Sequence, residues 1–144
     1  MINYFDSSLV LSILLEEKRK EEAYSIWKSN PIRVSSILLK IETDVSLKRF
    51  YRRNENRLDI DGLARRKIQL KGLMHDVFFD DITESFANFM IQNDFFAGCK
   101  SLDAIHLATV LNISEKYDKS EICVCSFDDN MLALAKQLGF KTRG

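Results

Sequence analysis

The chain has 144 residues, 46% of them hydrophobic and 29% charged, with a formal net charge of zero. That length lets a domain bury about two-thirds of its unfolded surface without a disulfide or metal staple, and the balance excludes disorder and collagen-like repeats. One proline and five glycines are too few for the many tight turns of an all-β protein.

Ile2-Asn3-Tyr4-Phe5 predicts a short first strand, ended by Asp6-Ser7-Ser8. A helix follows with Leu9, Ile13 and Leu14 on one side, then a second from Glu21 to Ser29 with Ala23, Ile26 and Trp27 inward. Asn30-Pro31 breaks that helix, and Ile32-Arg33-Val34 predicts the second strand. Ser35 or Ser36 is placed to cap a third helix through Ile37, Leu38, Ile41 and Val45. The segment from Lys48 to Lys71 predicts a helical pair broken near Asp61-Gly62, and Val77-Phe78-Phe79 a third strand. Ile82, Phe86, Phe89 and Met90 make the i, i+4, i+7, i+8 stripe of the next helix. Ser101 is placed to cap a helix from Leu102 to about Ser114, apolar nearly all round and so expected to be buried. Ile122-Cys123-Val124-Cys125 predicts the fourth strand and Met131 to Leu138 the last helix, with Gly139 as its stop. Phe140 to Thr142 adds a short fifth strand. Strands separated by helices pair in parallel through right-handed crossovers. The expectation is a single domain over residues 1–144 of α/β class, three-layered α/β/α with a central parallel sheet of four to five strands.

Charge is unevenly spread. Between Lys48 and Lys71 nine bases face three acids, so this segment is +6 and the remainder −6. Such a segment suits a polyanionic partner, which makes Arg49, Arg52, Arg53, Arg65 and Arg66 candidate contacts to such a polyanion; a solvated helix pair would carry the same charges. Cys99, Cys123 and Cys125 are odd in number and lack a CxxC spacing. Cys123 and Cys125 share one face of a strand, where a disulfide would be strained, so all three are expected reduced and packed. The longest apolar runs fall far short of the ~18 residues of a membrane span. No basic region precedes the first apolar stretch, so a soluble, cytoplasmic chain without a secretory signal is expected.

In open parallel sheets the ligand sits beyond the carboxyl ends of the strands, at the switch in strand order. Asp6 directly follows the first strand and Asp128 the fourth, after Ser126-Phe127. Asp103 lies in the first turn of the apolar helix before strand four, and Glu42 about two turns into the helix after strand two. Each has a structural explanation: Asp6 and Asp128 as helix caps, Asp103 as a charge favourable to a helix N-terminus, Glu42 as a solvated helix residue. Gathered in one pocket, however, four carboxylates raise one another's pKa unless a cation neutralises them. Oxygen donors without Cys or His suit Mg2+ or Mn2+, and such a site serves phosphoryl chemistry. His106, three residues after Asp103, is read as a buried hydrogen-bonded residue rather than a general base. Phe78, Phe79, Phe86, Phe89, Phe95 and Phe96 read as core or dimer surface, with base stacking as the alternative.

Four blocks together resemble the signature of PIN-domain ribonucleases: Ile2 to Ser8, Ser35 to Glu42, Ser101-Leu102-Asp103-Ala104-Ile105-His106-Leu107-Ala108-Thr109, and Ser126-Phe127-Asp128-Asp129-Asn130. The likeness is greatest to the VapC-type toxins of bacterial toxin–antitoxin systems, and it covers nearly the whole chain. It implies that Asp6, Glu42, Asp103 and Asp128 hold one or two Mg2+ or Mn2+ ions and that the chain is a metal-dependent endoribonuclease cleaving RNA by an activated water. It further implies that Ser7 and Ser126 bond to the acidic pocket, that Asp129 either joins them or only caps a helix, and that a cognate antitoxin and a homodimer are the protein partners. Asn3 is a mild departure from the family, whose strand is more often apolar there.

Other readings fit less well. A haloacid-dehalogenase-type phosphatase needs a second Asp where Ser8 stands. A receiver domain needs an Asp at the end of strand three, which Asp80 or Asp81 supplies, but the early acidic pair is missing. No glycine-rich phosphate loop is present. A catalytically silent PIN-like binding module remains the non-enzymatic alternative.

Overall fold

The computed structural model describes residues 1–53 and 60–144. Five strands, β1 (Ile2–Phe5), β2 (Arg33–Ser36), β3 (Phe78–Asp80), β4 (Ile122–Cys125) and β5 (Lys141–Arg143), form one sheet in the order β3-β2-β1-β4-β5. Every pairing is parallel, with Tyr4 opposite Val34 on one side and Val124 on the other. Among the described residues seven α-helices flank it: α1 (Ser7–Leu14), α2 (Lys20–Lys28), α3 (Leu38–Arg53), α4 (Ile60–His75), α5 (Glu84–Ile91), α6 (Ser101–Ile113) and α7 (Asp129–Gln137).

The two faces of the sheet explain its sequence. Phe5, Cys123 and Cys125 point into a core with α1 to α4, built on Leu9, Val10, Ile13, Trp27, Leu39, Leu47 and Leu70. Tyr4, Ile122 and Val124 point into a second core with α5 to α7, built on Phe86, Phe96, Leu107, Val110 and Met131. The period of two along each strand divides the cores, and burial on both faces is why β1 and β4 read as near-continuous apolar runs. All three cysteines are free, and Cys123 and Cys125 lie on one face as expected. Asn3, the polar residue in β1, is buried and donates from its side-chain amide to Ser29 Oγ at 3.1 Å.

Several boundaries differ from expectation for identifiable reasons. β2 runs on through Ser35 and Ser36: Ser35 Oγ bonds the Phe5 carbonyl at 2.6 Å and Ser36 Oγ accepts from Leu38 N–H at 3.2 Å. Ser36 therefore ends a strand and starts a helix at once. Along α3 the buried residues are Leu38, Leu39, Thr43 and Leu47, whereas Ile41 and Val45 face outward, so beyond Leu38 the inward stripe runs two positions later than the predicted one. Asp61 and Gly62 lie inside the first turn of α4 rather than at a break; α3 is described to Arg53 and α4 from Ile60, and residues 54–59 lie outside the described residues. Ile82 precedes α5 and is exposed, and Thr83 caps that helix by accepting from Phe86 N–H. α6 begins at Ser101 itself, with Lys100 as an N-cap that makes no side-chain bond. Gly139, at φ +86°, closes α7 with the paired bonds Phe140 N–H to Ala135 O and Gly139 N–H to Lys136 O. No helix among the described residues is long and apolar enough to cross a membrane.

Candidate metal centre at the sheet edge

The strand order reverses between β1 and β4, and the crevice beyond their carboxyl ends is where an open parallel sheet presents a site. Asp6 leaves β1 into this crevice and is buried. Its Oδ1 accepts from Ser8 Oγ at 2.7 Å and Ser8 N–H at 3.2 Å, and its Oδ2 from Ser126 Oγ at 2.6 Å. The Ser126 hydroxyl in turn accepts from Asp128 N–H at 2.9 Å, so one hydroxyl ties the acid after β1 to the acid after β4. Ser8 Oγ makes the reciprocal link by accepting from Phe127 N–H at 2.8 Å. Asp6 and Asp128 do cap α1 and α7, but capping uses only part of each carboxylate's acceptor capacity. Burial raises the Asp6 pKa, against the opposing pull of the Ser126 and Ser8 hydrogen bonds and of His106.

Glu42 lies one turn into α3, a turn earlier than predicted, because the helix begins only at Leu38. Ser7 Oγ donates to its Oε2 at 3.3 Å and His106 Nε2 to its Oε1 at 2.5 Å. The second bond places the start of α6 against α3 at the carboxyl edge, the geometry on which the placement of Asp103 depended. Asp103 sits one turn before His106 in α6. Its pKa is raised by partial burial and by the Asp128 charge, against Lys100, His106 and an Asn130 side-chain bond. That pair of observations brings Asp103 and Asp128 into the same field.

The four predicted acids thus share one neighbourhood, joined through Ser7, Ser126, His106 and Asn130. Among the described residues, no three or more His, Cys, Asp or Glu side chains converge as a group that could hold a metal. The donor set nevertheless fits a hard divalent cation in kind and in charge: all four are carboxylates, and the Asp128 charge acts on Asp103 to raise its pKa beside burial. Ser7 and Ser126 bond the acids as expected. Asp129 is exposed in the first turn of α7, where its charge favours the helix N-terminus. Sequence reasoning missed Ser8, Asn130 and Tyr4. Tyr4 is fully buried, and its hydroxyl lies 2.7 Å from His106 Nδ1 and accepts from Ser36 N–H at 3.3 Å; burial raises its pKa strongly, so it stays protonated. The spacing of His106 one turn after Asp103 was the available signal. His106 is buried and hydrogen-bonded, as expected.

Asp80, the acid a receiver domain would need, stands on edge strand β3 and accepts from Asn112 Nδ2 at 2.8 Å, two strands from Asp6. The basic residues Arg49, Arg52 and Arg53 are exposed at the end of α3, about 10–16 Å along the helix from Glu42. Arg65 and Arg66 lie on α4, where Arg66 pairs with Glu16 at 3.3 Å and bonds Gln69. Arg57 lies outside the described residues.

Residues 4–137 match the PIN domain family model. Among solved structures, PAE2754 from Pyrobaculum aerophilum is similar, with a TM-score of 0.67 and 15% identity over 99% of this chain and 83% of that one. At that identity the likeness speaks to the fold. No curated protein matches the chain in sequence.

Proposed function

This chain belongs to the PIN-domain family, and on that premise we propose that it is a metal-dependent endoribonuclease, the toxin of a toxin–antitoxin pair. PIN domains are commonly nucleases and typically use divalent metals. The observation that carries the reading is the linkage of Asp6, Glu42, Asp103 and Asp128 at the switch between β1 and β4. Those four side chains are the ones assigned to hold Mg2+ or Mn2+. A bound divalent ion supplies neutralising charge for the scissile phosphate and lowers the pKa of the attacking water. Asp6 and Glu42 are held by hydroxyl and imidazole donors, so their remaining lone pairs are oriented before any ligand arrives. In hydrolysis a water oxygen bonds to phosphorus, one bridging P–O bond breaks, and the departing oxygen takes a proton. The excess negative charge of the acid cluster repels a polyanion, so RNA binding needs compensating cations, and the exposed Arg49, Arg52 and Arg53 supply them outside the pocket.

The test is brief expression followed by sequencing of cellular RNA ends. New ends are expected with the native chain and not with Asp6→Asn. Growth arrest should be relieved when the product of the neighbouring gene is made alongside it. An RNA-end profile identical for the two forms contradicts the nuclease reading, and a neighbouring product that neither binds nor protects contradicts the toxin reading.

A further inference from the structure

Glu42 is gripped from both sides, and the grip on its Oε1 continues inward. His106 Nε2 lies 2.5 Å from Oε1. A carboxylate only accepts hydrogen bonds, so Nε2 carries the proton and, in a neutral ring, Nδ1 accepts. The donor to Nδ1 is the Tyr4 hydroxyl at 2.7 Å, whose oxygen accepts from Ser36 N–H at 3.3 Å. One directed row of bonds therefore runs from the backbone of β2, through β1 and α6, to the carboxylate on α3. Both intermediate side chains are buried, at 0% exposure for Tyr4 and 3% for His106. The Tyr4 and His106 rings also meet edge to face, with centroids 5.9 Å apart. Polar groups in such a place are costly unless fully paired, and an apolar pair would pack the same space without that demand.

We propose that Tyr4 and His106 are positioning residues for Glu42: the row fixes the orientation of its carboxylate and thereby sets how tightly the acid cluster binds a divalent cation. This inference rests on the reading above that Glu42 helps to hold the cation. Donors behind a metal-binding side chain commonly matter by about 10–100-fold in affinity. Because the bonds act in series, losing one should forfeit what the other contributes, whereas two independent packing roles would add.

The full-length chain is used throughout, with Mn2+ as the probe. Mn2+ binding is followed by electron paramagnetic resonance, and folding by thermal unfolding in EDTA. Tyr4→Phe, which removes only a hydroxyl, and His106→Ala should each weaken Mn2+ binding by roughly tenfold or more. The Mn2+ concentration that half-activates RNA cleavage should rise by the same factor. The double variant should bind no more weakly than His106→Ala alone, and His106→Gln, whose amide N–H can reach Oε1, should recover most of the loss. Unchanged Mn2+ affinity in Tyr4→Phe, with only a lower unfolding temperature, overturns the proposal even if His106→Ala fails to fold. A double variant whose loss is the product of the two singles also overturns it. A wild-type chain that neither binds Mn2+ nor cleaves RNA removes the underlying reading and the proposal together, an outcome distinct from unaltered variants of an active wild type.

Discussion

Burial raises the pKa of Asp6 against the bonds from Ser126 and Ser8, and Asp103 is raised by burial and by the Asp128 charge. A carboxyl that binds its proton more tightly folded than unfolded lowers stability as pH rises, because the folded state holds more protons. In EDTA, stability should therefore fall as pH climbs from the ordinary aspartate value of 3.8 through the raised folded values. Asp6→Asn removes one such group. Its unfolding midpoint in EDTA at neutral pH should lie at or above that of the wild type, while Mn2+-dependent cleavage is lost. A clear drop in the midpoint would show that the Asp6 charge is stabilised rather than strained. At this scale Asp6 and Asp128 were legible because a residue following a strand end is placed by strand direction alone, whereas Glu42 and Asp103 depend on how α3 and α6 pack. Tyr4 was not legible, since a tyrosine in a buried strand reads as apolar filling until the partner of its hydroxyl is known. His106 was legible as buried and hydrogen-bonded, but its partners lie 102 and 64 residues away in the chain, beyond any local pattern.

The element that delivers Asp103 and His106 is α6, and its packing decides whether they arrive. Leu107, fully buried in the second core, anchors its middle. Leu107→Ala should cost about 2–5 kcal/mol, measured by denaturant unfolding, and should reduce cleavage through loss of folded chain. The end of α7 offers a test of backbone conformation free of packing. A Cβ at Gly139 would meet only Lys119 Cδ at 4.0 Å, yet φ is +86°. Gly139→Ala should cost about 1–2 kcal/mol from conformation alone; no measurable cost would mean that the turn adopts another geometry. Gly139 was readable as a helix stop because left-handed backbone favours glycine. The start of α6 was misread at Ser101 because Lys100 takes the capping position without a side-chain bond. The inward face of α3 was misread because the helix begins at Leu38 and turns Leu39 and Thr43, rather than Ile41 and Val45, toward α1 and the sheet.

Over the whole molecule, neutrality conceals separation. The segment from Lys48 to Lys71 carries +6 and the rest of the chain −6, with the acid cluster at the sheet edge and Arg49, Arg52 and Arg53 exposed farther along α3. If those arginines contact phosphates, they act by releasing counterions and carry no base information. Reversing Arg52 and Arg53 to Glu should weaken RNA binding across sequences and reduce the slope of log affinity against log salt by about one for each phosphate left without its arginine. The cleavage rate at saturating RNA should change much less. Wild-type affinity and slope in the double reversal would assign the segment to solvent or to a protein partner.

The central claim is that the four carboxylates at the β1–β4 switch would hold a divalent ion on which RNA cleavage depends. Cleavage of one defined single-stranded RNA by the purified chain, with Mn2+ or with EDTA, measures it most directly when run beside Asp6→Asn, Glu42→Gln, Asp103→Asn and Asp128→Asn. Cleavage should require Mn2+, vanish in EDTA, return when the metal is restored, and fall at least a hundredfold, about 2.7 kcal/mol of barrier, in each variant that unfolds like the wild type. Cleavage that persists in EDTA, or survives undiminished in Asp6→Asn and Asp103→Asn, would contradict it.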